Sequence, residues 1–215
     1  MTELCFDIET IPQQAPLTDV QSEELDKKLK SYLSRRPDDE DQVEARRLLM
    51  GTSPYFGEIV CIGLGYESKS GYKTKALIGD ERNILIEFNN IISKFSGIYV
   101  SYNGLEFDVP FISGRAMKHK IIINNKNFLE TRRFQKKPHF DVKQIVSDWD
   151  RYRSVTLSLL CDHLGIPSPK EGEIKAKDVE AAFLAGGIDK IAAYCLRDIV
   201  ATDAVYQIVR QYTKY

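Results

Sequence analysis

The stretch Leu4-Cys5-Phe6-Asp7-Ile8-Glu9-Thr10 is a short apolar run that carries two carboxylates two residues apart. Side chains alternate faces along a strand, so Asp7 and Glu9 share one side while Phe6 and Ile8 take the other. Two acids in one small patch repel at neutral pH unless a cation sits between them, and carboxylate oxygens are the ligands that hard divalent ions prefer. The pair is therefore half of a metal site, or else the solvated face of an edge strand. Two later places bear on the choice. In Ser101-Tyr-Asn-Gly-Leu-Glu-Phe-Asp-Val-Pro-Phe, Asn103 and Gly104 mark a turn at a strand end, and Asp108 opens a helix, where the dipole favours an anion. A helix-capping aspartate has the same appearance. In Tyr194-Cys-Leu-Arg-Asp198 the phenol and the carboxylate lie one turn apart on one helix face. That spacing suits a ligand beside a water-contacting hydroxyl, and it also suits an ordinary surface pair.

These residues need elements to bring them together, and the hydrophobic pattern supplies candidates. After the first strand, Pro12 and Pro16 interrupt regular structure, and residues from about 18 to 51 form a charged helical insertion. Its first helix follows Leu25, Leu29, Tyr32 and Leu33, with Thr18 or Ser22 as cap and Pro37 as stop; a second runs from about Asp39 to Met50. Glu58 to Tyr66 is a continuous apolar run, Tyr72 to Ile78 alternates, and Ser68 to Gly71 joins them as a hairpin, so the first three strands make a meander. A helix follows from about Glu81 to Phe95, then a strand from Ile98, then a helix from Val109-Pro110 to about Lys118. Phe140 to Asp148 is expected to begin as a short strand or turn and become helix, and further helices are expected over Thr156 to Leu164, over Lys175 to Leu184, and over Ile188 to Tyr212 with Ile191, Cys195, Ile199, Thr202 and Val209 inward. Strand and helix alternating after a meander imply an α/β layered fold with a mixed sheet.

Composition narrows the function classes. With 215 residues, 43% of them hydrophobic, the chain is expected to form a single domain. A formal charge of -1 gives no global attraction for a polyanion, so a nucleic-acid surface must be a local patch or be aided by bound cations. The four cysteines, Cys5, Cys61, Cys161 and Cys195, are far apart in apolar surroundings without a C-x-x-C, which argues for buried reduced thiols rather than zinc. No segment has the length or apolarity of a membrane span and the N-terminus is acidic, so a cytoplasmic location without membrane attachment is expected.

Taken jointly, Asp7-x-Glu9 on a first strand, Asn103-x3-Phe107-Asp108 at a later strand-helix junction and Tyr194-x3-Asp198 on a final helix resemble the DEDD superfamily of 3′-5′ exonucleases, tyrosine subgroup. The likeness is closest to the proofreading domain of B-family DNA polymerases: Phe6-Asp7-Ile8-Glu9-Thr10, Tyr102-Asn103-Gly104 with Phe107-Asp108, and the terminal tyrosine motif all match. Weaker echoes are Gly57 to Gly63, His139-Phe-Asp141 and Ser158 to Gly165. The sister subgroup carries a histidine five residues before the last aspartate, where this chain has Ala193. The resemblance implies an RNase H-like fold with a mixed five-stranded sheet flanked by helices, here with a helical insertion after the first strand. It also implies that Asp7, Glu9, Asp108 and Asp198 hold two divalent cations, Mg2+ or Mn2+, while Tyr194 orients the attacking water. With no polymerase-sized extension, a free-standing enzyme is expected, with a polymerase or repair partner in trans as one option.

Two cations about 4 Å apart would activate the water and hold the departing 3′ oxygen. For holding the strand, residues 113 to 139 carry Arg115, Lys118, Lys120, Lys126, Arg132, Arg133, Lys136 and Lys137 against the single acid Glu130, either a phosphate-binding stretch or a solvated loop. Substrate contacts are expected from Thr10, Tyr102, Asn103, Phe107, Arg132 and Arg133, with Phe134 a further stacking candidate, Phe107 equally a core residue, and Asp141 a supporting acid. The expected activity is 3′-5′ hydrolysis of single-stranded or frayed DNA to nucleoside monophosphates. An exoribonuclease, or a silent nucleic-acid-binding module on the same scaffold, are the alternatives.

Overall fold

In the computed structural model, which describes residues 2–36, 41–168 and 174–213, strand β1 (Glu3–Pro12) lies at the middle of a five-stranded sheet. Two helices follow it, α1 (Asp19–Leu33) and α2 (Gln42–Gly51), then the hairpin β2 (Gly57–Ser68) and β3 (Gly71–Ile78). Next come α3 (Glu81–Ile92), β4 (Ile98–Ser101), α4 (Asp108–Lys118), β5 (His139–Asp141) and α5 (Val142–Val146). The chain ends with α6 (Leu157–Leu164), α7 (Val179–Leu184) and the long α8 (Ile188–Tyr212). Strand order is β3-β2-β1-β4-β5; β1 is antiparallel to β2 and parallel to β4, and β4 is parallel to β5. The sheet is thus mixed, as expected, and the first three strands form the meander.

Alternation along β1 divides the molecule into two layers. Leu4, Phe6 and Ile8 point into one core with α3 and α4 residues such as Ile84, Phe88 and Ile112. Cys5 packs on the other face with Val100, Phe140 and residues of α6 and α8, and Ile11 does so with Val60, Ile191 and Cys195. Asp7 and Glu9 share the parity of Cys5 and therefore face α8. Between Glu9 and Thr10 the pairing with β2 shifts register, a local irregularity of the kind that re-aims side chains beside functional sites.

Helix α8 seats against β2 because that strand lacks side chains where the two meet. A Cβ on Gly63 would lie 2.6 Å from Cys195 Sγ and 3.0 Å from Ile199 Cγ1, and one on Gly65 would lie 2.5 Å from Ile199 Cγ2. The approach buries Ile199 completely, which contributes about 1.5–3 kcal/mol for such a side chain. It also brings the face of α8 that holds Tyr194 and Asp198 over β1.

The insertion is two helices packed on each other, with α2 also against β1 and β2. Thr18 caps α1 in a reciprocal capping box with Gln21, and Asp41 caps α2 by accepting from Val43 and Glu44 N–H. The expected stop at Pro37 and start near Asp39 lie outside the described residues. Elsewhere expected bounds shift: β1 runs on through Pro12, β2 extends to Ser68, α3 ends at Ile92 instead of Phe95, and the helix expected from Lys175 begins as a 3-10 turn, Ala176–Asp178, before α7. All four cysteines are free and buried. No helix among the described residues is long and apolar enough to cross a membrane.

Candidate active site

Four acids from three distant segments converge where β1, the N-terminus of α4 and the middle of α8 meet. β4 pairs with β1 only through Cys5, so the strand's Ile8 N–H lies beyond that ladder; Asp108 Oδ1 accepts it at 3.0 Å, which ties α4 to β1 beside Asp7. From α8, Cys195 Sγ lies 3.6 Å from Asp7 Oδ2 and 3.7 Å from the Asp7 carbonyl. Tyr194 lies one turn before Asp198 on α8, and the Asp198 carboxylate acts electrostatically on its phenol. Asp7 and Asp198 open onto a cleft of about 410 Å³ that is also lined by Tyr102, Asn103, Lys143, Thr202 and residues 154–157.

The electrostatics are those of anions crowded together. Burial raises the Asp7 carboxyl well above its ordinary range, and the charges of Asp108 and Asp198 raise it further. Burial likewise raises Glu9, reinforced by Asp7 and Asp198. Asp108 is pushed to about 7, first by burial and then by Asp141. Asp198 rises to about 6 through burial, moderated by the Tyr194 hydroxyl and by the Arg197 charge. The Tyr194 phenol is driven well above its usual value, by burial first and then by Asp198, Glu9 and Asp7, so at neutral pH it is a hydroxyl and never a base.

Such a donor set fits a divalent cation. Ligand atoms of Asp7, Glu9 and Cys195 lie within 4.8 Å of one another, and the carboxylates of Asp108 and Asp198 act electrostatically on Asp7 and Glu9. Oxygen-rich, negatively charged sites of this kind select hard cations. An acid whose folded-state pKa is raised binds its proton more tightly folded than unfolded. Its ionisation therefore opposes folding at neutral pH, and the opposition fades as pH falls through the raised value. Titrating Mn2+ into EDTA-treated protein should consequently raise Tm. At a hundredfold excess over Kd the gain is about 2.7 kcal/mol, or roughly 5–10 °C for a chain this size. Asp7→Asn should raise the metal-free Tm and erase the Mn2+ response; a Tm indifferent to Mn2+ in the unsubstituted protein would contradict the assignment.

Tyr102 lines the cleft and donates to the Val155 carbonyl at 2.7 Å. Asn103 sits there with a left-handed backbone, φ 72°, and its loop is held by Asp141, which is fully buried and accepts from the N–H groups of Asn103, Leu105 and Gln144. Thr10 donates to the Gly51 carbonyl at 2.7 Å, so its hydroxyl fastens the insertion to β1. Phe107, just before α4, packs on Phe111 and the core. Arg132 is exposed and paired with Glu130 at 2.7 Å, while Arg133 reaches the Trp149 carbonyl at 3.2 Å; both lie outside the lining of the cleft.

One member of the basic stretch is corrected outright. Arg115 is 1% exposed and forms a two-pronged pair with Glu81, at 2.7 and 2.6 Å, with a third bond to the Pro54 carbonyl. Its guanidinium belongs to the interior and is closed to a phosphate. Conversely, Lys143 had no signal in the sequence beyond its place two residues after Asp141. Its ammonium lies 3.2 Å from Asn103 Oδ1 on the cleft wall.

A mixed five-stranded sheet in this order, with helices on both faces and acids gathered at its centre, is an RNase H-like fold. A family described as "Predicted 3'-5' exonuclease related to the exonuclease domain of PolB" matches residues 56–214, and the chain belongs to that family. Asp108, Tyr194 and Asp198 lie inside the matched stretch; Asp7 and Glu9 precede it. Membership implies 3′-5′ exonuclease chemistry with divalent-metal use on a nucleic-acid substrate. Among solved structures, the family B DNA polymerase from the hyperthermophilic archaeon Pyrobaculum calidifontis is similar, with a TM-score of 0.63 and 17% identity over 98% of this chain and 24% of the polymerase. The likeness is one of fold, and this chain spans about a quarter of the polymerase's length. Comparison with curated protein sequences gave no match.

Proposed function

We propose that this chain hydrolyses DNA from its 3′ end, on single strands or frayed ends, releasing nucleoside monophosphates. The observation that carries the reading is the gathering of Asp7, Glu9, Asp108 and Asp198 near the Tyr194 phenol, with Asp7 and Asp198 opening onto one cleft. The four carboxylates would hold two divalent cations, Mg2+ or Mn2+. When bound, these would supply positive charge to activate water and to stabilise the negative charge that builds on the phosphate and the departing oxygen.

The chain's own residues do the rest. Tyr194, whose hydroxyl stays protonated at neutral pH, positions the attacking water. Attack forms a new phosphorus–oxygen bond and breaks the bond to the 3′ oxygen, so the shortened strand ends in a 3′-hydroxyl and the released nucleotide keeps its 5′-phosphate. Tyr102 and Asn103 offer a ring and an amide to the terminal nucleotide, and Lys143 places a positive charge on the same wall. Asp141 holds that wall by its three backbone bonds.

The test is a 3′-mismatched or single-stranded oligonucleotide, labelled at its 5′ end and incubated with Mg2+ or Mn2+. A ladder shortening stepwise from the 3′ end, abolished by EDTA, is expected. Parallel RNA ladders decide which sugar is preferred. An intact oligonucleotide after incubation with folded, metal-loaded protein would overturn the reading.

A further inference from the structure

We infer that the surface formed by residues 132–134 and 149–153 is a stacking track for single-stranded nucleic acid, carrying the nucleotides on the 5′ side of the one in the cleft. The inference rests on the exonuclease reading above and extends it to how the strand is held.

Continuity is the first argument. A second hollow, of about 700 Å³, is lined by Glu106, Arg133, Trp149, Asp150 and Arg151. Two segments wall both depressions. The loop after β4 gives Asn103 to the first and Glu106 to the second, and the segment after α5 gives residues 154–157 to the first and 149–151 to the second. A strand leaving the cleft along these walls crosses the second hollow.

The side chains there are the second argument. Phe134 is 74% exposed and leans on Trp149, ring centroids 5.3 Å apart, with the Arg133 guanidinium 5.7 Å from one ring and 6.0 Å from the other. Tyr152 is 83% exposed beneath the Arg151 guanidinium, 4.9 Å from its ring. Left exposed, a phenylalanine forfeits the stabilisation that burial would contribute. The backbone commits to this presentation: Phe134 and Trp149 have φ of 65° and 60°, a left-handed conformation unusual for bulky residues. The bend at Trp149 is fixed by its N–H bond to the Gln144 carbonyl at 2.8 Å.

Rings flanked by arginines match one ligand chemistry well, since base faces stack on the rings while phosphates meet guanidinium groups. Glu106 and Asp150 in the lining disfavour close phosphate approach at those two points, which leaves the bases facing the rings. Stacking of this type tolerates any sequence.

Trp149 is the chain's single tryptophan, so its fluorescence reports on this surface directly. EDTA-treated protein would be titrated with oligo(dT) of 2, 4, 8 and 12 nucleotides, and with oligo(U) of the same lengths. Quenching is expected only with the longer oligomers and to a similar degree with both sugars. Phe134→Ala and Tyr152→Ala should each weaken 12-mer binding about tenfold. Unaltered 12-mer binding by the double variant, measured by anisotropy of labelled oligonucleotide, with Trp149 fluorescence indifferent to every oligomer, would overturn the track. If both 2-mer and 12-mer are hydrolysed in that case, the exonuclease reading stands without it. If neither is hydrolysed by the metal-loaded, unsubstituted protein, the reading beneath the track falls as well.

Discussion

Asp7→Ala is expected to lower the rate of 3′-terminal nucleotide release on the order of a thousandfold or more. The substitution removes the carboxylate that lies between Glu9 on its own strand and the acids of α4 and α8, and with it the charge needed to retain a divalent cation. Metal-derived charge stabilisation amounts to several kcal/mol, and each 1.36 kcal/mol is about tenfold in rate. Tyr194→Phe behaves differently. It deletes a hydroxyl beside Asp198 and leaves every carboxylate in place, so about 10- to 100-fold of rate should be lost, the worth of one hydrogen bond from that hydroxyl to a charged group. The Mn2+-induced rise in Tm should persist in Tyr194→Phe and vanish in Asp7→Ala. Steady-state kinetics on a 5′-labelled oligonucleotide, with thermal melts alongside, separates the two; equal losses in both variants would remove the distinction between ligand and positioning group.

The second large effect concerns stability. Arg115→Ala should destabilise the fold by about 3–5 kcal/mol, because it strands the Glu81 carboxylate among buried groups without its partner. Burial alone pushes Glu81 up, but Arg115, the Ile59 N–H and His119 together outweigh it and hold the carboxyl below its usual value. The sign of its pH dependence follows. A depressed folded-state pKa gives stability that is fully present above the unfolded value of about 4.3 and is lost as pH falls through the folded one. That is opposite to the clustered acids Asp7, Glu9, Asp108 and Asp198, whose raised values oppose folding at neutral pH. Urea titrations at pH 7 measure the loss. A cost below about 1 kcal/mol would mean that the α3–α4 contact is sustained by apolar packing alone.

Sequence was most informative where one residue pattern had one structural solution. The 25-residue helix α8 was legible to its ends because Ile191, Cys195, Ile199, Thr202 and Val209 keep helical spacing and all five are buried. The meander followed from the apolar run of β2 and the alternation of β3. The carboxylates of the candidate site were legible because two lie on one strand face and two on helices that the hydrophobic pattern located. What the sequence left open were partnerships between side chains far apart in the chain. Arg115 looked like a member of a basic run because Glu81, 34 positions earlier, comes opposite it only when α3 and α4 pack. Lys143 was silent because its relation to Asn103 depends on β4 and β5 lying side by side. Thr10 matched a motif, yet its hydroxyl is taken by Gly51 of the insertion, a contact that no local pattern encodes. The closeness of α8 to β1 depends on Gly63, and a glycine in a strand has no outward sign of which helix will fill the space above it.

The most direct measurement is anomalous diffraction from crystals soaked in Mn2+ with a nucleoside monophosphate. Peaks should appear between Asp7, Glu9, Asp108 and Asp198, with carboxylate oxygens about 2.0–2.3 Å away and the nucleotide's phosphate turned toward them. Mn2+ found only elsewhere, or a phosphate bound with these four side chains facing away from it, would contradict the account.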